Sequence, residues 1–215
     1  MKRLIAVTTL TLAAPATVCA EESPWSVRAY TGYSQLSDVS GSARGIDGIE
    51  GAADVTVDGG FTAGIGAGYR FTEHWSAEFA WEYRSNDSET EIGGRLRFSD
   101  GDYASNAFYL NGFYHISPVG RWQPYLGAGI GWLQEVDLDL EDARGEQSFS
   151  GDGDVGYQLF AGANYALSAS WAINAELRYG SFTDLELDGE DNNRGRIDGL
   201  DYEPFTLQVG VQYRF

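Results

Sequence analysis

The chain has 215 residues, 43% of them apolar, with 32 acidic against 14 basic side chains and a formal charge of −18. Phosphate backbones are bound by clustered Lys and Arg, so an acid excess of this size excludes a nucleic-acid partner. Aromatic residues at 14% exclude a disordered chain, and past the N-terminus no run of ~18 apolar residues reads as a membrane-spanning helix.

Residues 1–20 read as a secretory signal peptide. Met1-Lys2-Arg3 is a basic start, Leu4 to Ala14 an apolar stretch, and Val18-Cys19-Ala20 a run of small residues ahead of Glu21-Glu22. Val18 is bulkier than the small residue a lipoprotein cleavage site carries before its Cys. Cleavage after Ala20 removes the sole Cys, so residues 21–215 form no disulfide, and loss of Lys2 and Arg3 moves the charge from −18 to −20.

From Trp25 onward eight segments alternate with period two, apolar or aromatic residues on one face and Gly, polar or charged residues on the other. They are Trp25 to Tyr33, Phe61 to Phe71, Trp75 to Tyr83, about Ser105 to Ile116, Pro124 to about Gln134, Val155 to Tyr165, Trp171 to Tyr179, and Phe205 to Phe215. Most match the ~9–11 residues that a tilted strand needs to cross a bilayer, where globular strands average ~5–6. Three short connections alternate with four long polar ones, at about 34–60, 85–104, 135–154 and 180–203. That order belongs to an up-and-down meander with one tight and one elaborate rim. Aromatics gather beside the short turns, as in an interfacial girdle.

A soluble barrel of the lipocalin type also alternates, with its apolar face inward. The polar face decides between the two. It combines Gly64, Gly66, Gly68, Gly127, Gly129, Gly131 and Gly162 with Arg28, Arg70, Glu78, Glu82, Arg84, Glu176, Arg178 and Arg214. Glycine weakens a strand interior, but inside a narrow barrel it makes room for long side chains from neighbouring strands. The fold class is therefore all-β, an eight-stranded antiparallel up-and-down transmembrane β-barrel, closed so that no edge meets hydrocarbon. Its eight lumen charges are expected to form a static structural network, since an unpaired buried charge is costly.

Phe61 to Glu78 (FTAGIGAGYRFTEHWSAE), Pro124 to Trp132 (PYLGAGIGW) and Leu207 to Phe215 (LQVGVQYRF) resemble the small OmpA-like, opacity-type outer-membrane β-barrels. The resemblance covers nearly all of residues 21–215. It implies a place in the outer membrane of a Gram-negative bacterium among lipids and lipopolysaccharide, with chain ends toward the periplasm and long loops outside. It also implies that Tyr213 and Phe215 present an assembly signal to the barrel-assembly machinery. No peptidoglycan-binding domain follows, so no cell-wall tether is implied.

His115-Ile116-Ser117 has two of the residue types used by outer-membrane enzymes that act on lipid A, but it runs into Pro118 at a short turn with no carboxylate at a useful spacing. No enzyme and no cofactor is expected. The long loops hold most of the acid. Asp137, Asp139, Asp152 and Asp154 are candidate Ca2+ ligands by chemistry alone, without EF-hand spacing, and solvated loops explain the same residues. Leu138, Leu140, Leu185 and Leu187 keep the outward parity of their strands, so those hairpins are expected to continue as sheet beyond the membrane. The expected role is structural or surface-interacting, through loops whose ligand the sequence does not identify; the alternative is a narrow channel for small solutes.

Overall fold

A computed structural model describes residues 23–215 except 47, 100, 143–144 and 191–194; the expected signal peptide lies outside the described residues, as does part of the acidic run at 190–193. Among the described residues every regular element is a strand: β1 Trp25–Leu36, β2 Val39–Ile46, β3 Ile49–Val57, β4 Gly60–Arg70, β5 Trp75–Ile92, β6 Leu96–Phe98, β7 Asp102–His115, β8 Trp122–Asp142, β9 Gly145–Gly151, β10 Val155–Ala166, β11 Trp171–Gly189, β12 Arg196–Tyr202 and β13 Pro204–Arg214. Eight of them close a ring. β1 pairs β4, then β5, β7, β8, β10, β11 and β13 follow in turn, and β13 returns to β1, antiparallel throughout. These are the eight expected strands. Closure gives every strand two hydrogen-bonded neighbours, so hydrocarbon meets no open edge.

The outer wall follows from side-chain parity. Ile65, Phe79, Leu110, Leu126, Ile130, Leu159, Leu177 and Val209 lie exposed between two aromatic belts. In six strands the two belt residues stand eight positions apart: Trp25 and Tyr33, Phe61 and Tyr69, Trp75 and Tyr83, Tyr157 and Tyr165, Trp171 and Tyr179, Phe205 and Tyr213. At ~3.3 Å per residue that is about 26 Å of strand, which fits an apolar band ~25 Å tall once the rings' own reach offsets strand tilt. At the short-turn end the belt is built of ring pairs, Trp25 on Tyr69, Trp75 on Tyr114, Trp122 on Tyr165 and Trp171 on Tyr213, with centroids 4.8–5.0 Å apart. The first described residue and the last meet here, where Ser23 N donates to Phe215 O, and Arg70 N donates to Pro24 O beside them.

At the other end the long connections are largely sheet. β3 pairs β5, β2 pairs β3, β12 pairs β2, β11 pairs β12, and β9 bridges β11 to β8, so a second closed wall rises above the first. Its interior is an apolar core including Ile46, Ile92, Phe98, Leu133, Phe149, Phe182, Ile197 and Leu200. Leu138, Leu140, Leu185 and Leu187 belong to this core, each buried to 1% exposure or less, which corrects the outward orientation expected from parity. Two bulges are the reason. On β8 the partners of Asn106 and Ala107 are Glu135 and Leu133, so Gln134 is an extra residue. On β11 the register slips between Phe182 and Leu185, with Asp184 at φ 63°. One extra residue exchanges the two faces of a strand. Beside lipid the apolar face belongs outside; above it, with water outside, the apolar face belongs inside.

Candidate functional site

Inside the membrane-spanning ring, Arg28, Glu78, Glu82, Arg84, Glu176 and Arg178 form one chain of alternating charge. Arg28 holds Glu78 through Nε at 2.9 Å and Nη2 at 2.6 Å, and its Nη1 reaches Glu176 Oε2 at 3.2 Å. Arg178 grips Glu176 Oε1 from Nε and Nη2 at 3.1 and 2.6 Å and donates from Nη1 to Glu82 Oε2 at 3.1 Å. Glu82 Oε1 accepts from Arg84 Nη2 at 2.6 Å, and Arg84 Nη1 donates to Thr206 at 2.7 Å and to Ser34. Three guanidinium groups meet three carboxylates, and no side chain in the set is more than 6% exposed. The set is neutral as a whole, which is what a low-dielectric interior demands.

Neutral groups complete it. Tyr125 Oη and Gln208 Nε2 donate to Glu176 at 2.9 and 2.7 Å, and Gln158 Nε2 donates to Asn111 Oδ1 at 2.5 Å. Aromatic faces cover the cations: Arg28 lies 4.9 Å from the Tyr30 centroid and 5.4 Å from that of Phe113, and Arg178 lies 5.3 Å from that of Phe160. Glycine supplies the room. A Cβ on Gly66 would stand 2.6 Å from the Glu78 carboxyl carbon, and one on Gly162 2.6 Å from Tyr125 Oη.

Arg70 and Arg214, also expected among the lumen charges, stand instead at the short-turn mouth, around a small recess shared with Ser26, Ser76, His115 and Gln212. Arg70 Nη2 donates to Gln123 Oε1 at 3.3 Å. His115 is buried beside them and pairs through Nε2 with Ser76 Oγ at 2.8 Å, not with Ser117; its Nδ1 meets no hydrogen-bond partner among the described residues, so no carboxylate orients the ring. Tyr213 and Phe215 lie in the belt at this end, with ring centroids 5.1 Å apart.

At the elaborated end, Asp152 and Asp154 line an open depression of about 570 Å³ together with Glu135, Asp184, Glu186 and Asp188. Asp137 and Asp139 lie on β8 opposite Ser150 and Ser148. Among the described residues no three His, Cys, Asp or Glu side chains converge on a point that would hold a metal ion. The crowding is electrostatic. Partial burial and the neighbouring Glu135, Glu190 and Asp139 push the Asp137 carboxyl up to about 6, and burial with Glu186, Asp152 and Asp184 raises that of Asp154.

Residues 4–215 match the family described as Outer membrane protein beta-barrel domain. An uncharacterized outer-membrane protein of Sinorhizobium fredii, y4mB, is 27% identical over 205 residues, which cover 94% of this chain and 85% of the relative. Protein opa of Haemophilus influenzae is 29% identical over 104 residues, 47% of this chain and 73% of that one. The crystal structure of the outer membrane protein OprG from Pseudomonas aeruginosa superposes with a TM-score of 0.69 at 18% identity, covering 90% of this chain and 97% of that one.

Proposed function

We propose, for a chain that belongs to the outer membrane protein β-barrel domain family and lies in the outer membrane of a Gram-negative bacterium, that it is a sealed barrel serving as a rigid base for an acidic outward surface. One observation carries this reading: the interior is filled at two successive heights, by a neutral chain of six charges and then by an apolar core. An ion entering from either side meets bonded side chains that would have to break their pairs or a buried apolar core. Eight strands leave an interior just wide enough for side chains, and this one uses that width twice. What the protein offers outside is then the two-layered wall with its acidic depression, held by sheet hydrogen bonds. Its partner is a ligand or surface that reads those carboxylates, and no catalytic role is assigned to His115 or Ser117. Replacing Asp152, Asp154, Glu186 and Asp188, which line the depression, by Asn or Gln should abolish surface binding while the barrel still folds; retained binding by the folded variant would contradict this reading.

A second reading, passage of small apolar solutes, has one observation in its favour: the interior of the elaborated end is apolar. It requires that core to open, because Leu133, Leu138, Phe149 and Phe182 are fully buried in one another's company. Solute uptake into vesicles that survives deletion of β2–β3 would favour it.

A further inference from the structure

The lipid-facing wall carries a groove of about 610 Å³, lined almost wholly by carbon. Its floor is Ala163 of β10, Ala175 of β11, Val209 of β13 and Thr31 of β1, which are neighbours across the sheet in one row. The adjoining row starts at Trp122 and Tyr165 in the short-turn belt and passes through Ile173 and Val211 to Ala29. Strands in such barrels tilt by ~35–45°, so a row across them also climbs. The groove therefore begins at the aromatic belt and slants toward the middle of the apolar band, where the large residues found elsewhere on the wall give way to Ala and Val.

A cation stands at its foot. Arg121 donates from Nη2 to Leu167 O at 2.8 Å and lies 5.5 Å from the centroid of the Tyr165 ring, one residue from Trp122. Beside a ring of the aromatic belt, its guanidinium stands close to the membrane interface, where lipid phosphates lie. Among the described side chains the short-turn end carries Arg70, Arg121 and Arg214 against Glu73, in contrast to the acidic opposite rim.

We propose that this groove is a binding site for one anionic phospholipid of the leaflet at the short-turn end, with an acyl chain on the Ala163, Ala175 and Val209 floor and the phosphate at Arg121. The shape rejects a flat neighbouring barrel wall, which would leave the groove as a void, whereas a flexible methylene chain fills an irregular trough and restores the dispersion contacts that the small side chains forgo. The belt rings of Trp122 and Tyr165 flank its entry, and the guanidinium fixes which end of the lipid lies there.

Native mass spectrometry of the full chain released from nanodiscs of palmitoyl-oleoyl phosphatidylglycerol and phosphatidylcholine tests this. Wild type should retain one phosphatidylglycerol. A163L/A175F, which fills the trough from the lipid side, should reduce retention at least about tenfold, and A67F, on an exposed lipid-facing position of β4, should leave it unchanged. R121A should weaken retention of phosphatidylglycerol about fivefold, the scale of one basic side chain at an anionic surface, and leave phosphatidylcholine unaffected. Heat-modified gel migration reports whether each variant is folded. Equal retention by folded A163L/A175F and wild type, a retained lipid without headgroup preference, or a dimer in place of a lipid adduct would each overturn the proposal.

Discussion

Arg28 on β1 and Glu78 on β5 meet through two hydrogen bonds, at 2.9 and 2.6 Å, across the whole width of the strand between them. That strand, β4, places Gly66 opposite Arg28 and Gly68 opposite Glu78. The pair exists because the intervening wall has no side chains there. A shaved strand and a long-range ion pair are one structural feature. Adding a methyl at Gly66 should therefore act as overpacking of a pinned carboxylate. We expect Gly66→Ala to destabilise the barrel by about 1–3 kcal/mol in urea-induced unfolding from detergent micelles, whereas Ala67→Gly, beside it on the lipid face, should have under half that effect.

Glu176 accepts from Arg28, Arg178, Tyr125 and Gln208 and is the branch point of the interior chain. Glu176→Gln removes the negative charge between two guanidinium groups and leaves cationic excess in a buried interior. The expected loss is about 3–5 kcal/mol, the range for breaking one side of a buried pair, read from the urea midpoint. Little or no loss would mean that water enters the lumen at this height.

The two bulges make a prediction about faces. Cysteine placed at Leu138 or Leu187 should resist a water-soluble maleimide in the folded protein, while cysteine at Glu135 or Glu186 should label rapidly. Leu187→Ala should cost about 2–5 kcal/mol, as for large-to-small changes in a packed core. Fast labelling at 138 would restore the parity expected without bulges.

The raised carboxyl of Asp137 gives the elaborated end a definite pH dependence. Its folded-state value, about 6, lies above the ordinary 3.8 because partial burial and then Glu135, Glu190 and Asp139 disfavour the charge. The folded state thus binds this proton more tightly than the unfolded one, and stability rises as pH falls from 7.5 through 6 toward 4. Asp154, raised for the same reasons, adds in the same direction. Amide exchange at Leu138 and Leu140 should be slower at pH 5.5 than at pH 7.5 after correction for intrinsic rates, and Asp137→Asn should flatten that difference.

Much of this was legible in the residues. Period-two alternation located all eight spanning strands, and the pairing of interior glycine with Arg and Glu located six of the charges that do meet. Which Arg takes which Glu was not legible, because it depends on register and shear across strands that are not neighbours, as Arg28 and Glu78 show. Arg70 and Arg214 share the parity of the lumen set but stand too near the mouth to join it. The apolar cap was hidden by the two bulges, although both leave a trace. Leu133-Gln134-Glu135-Val136 and Phe182-Thr183-Asp184-Leu185 each read apolar, polar, polar, apolar, which breaks period two by one residue where the surroundings of the wall change from lipid to water.

The sealed interior is tested most directly by single-channel recording of the purified protein in planar bilayers in 1 M KCl, a deliberately high salt that favours current. With the lumen closed by the Arg–Glu chain and by the core around Leu138 and Leu187, at most rare and small steps should occur, and Glu176→Gln should make them more frequent. A large, stable pore in the wild-type protein would contradict the account.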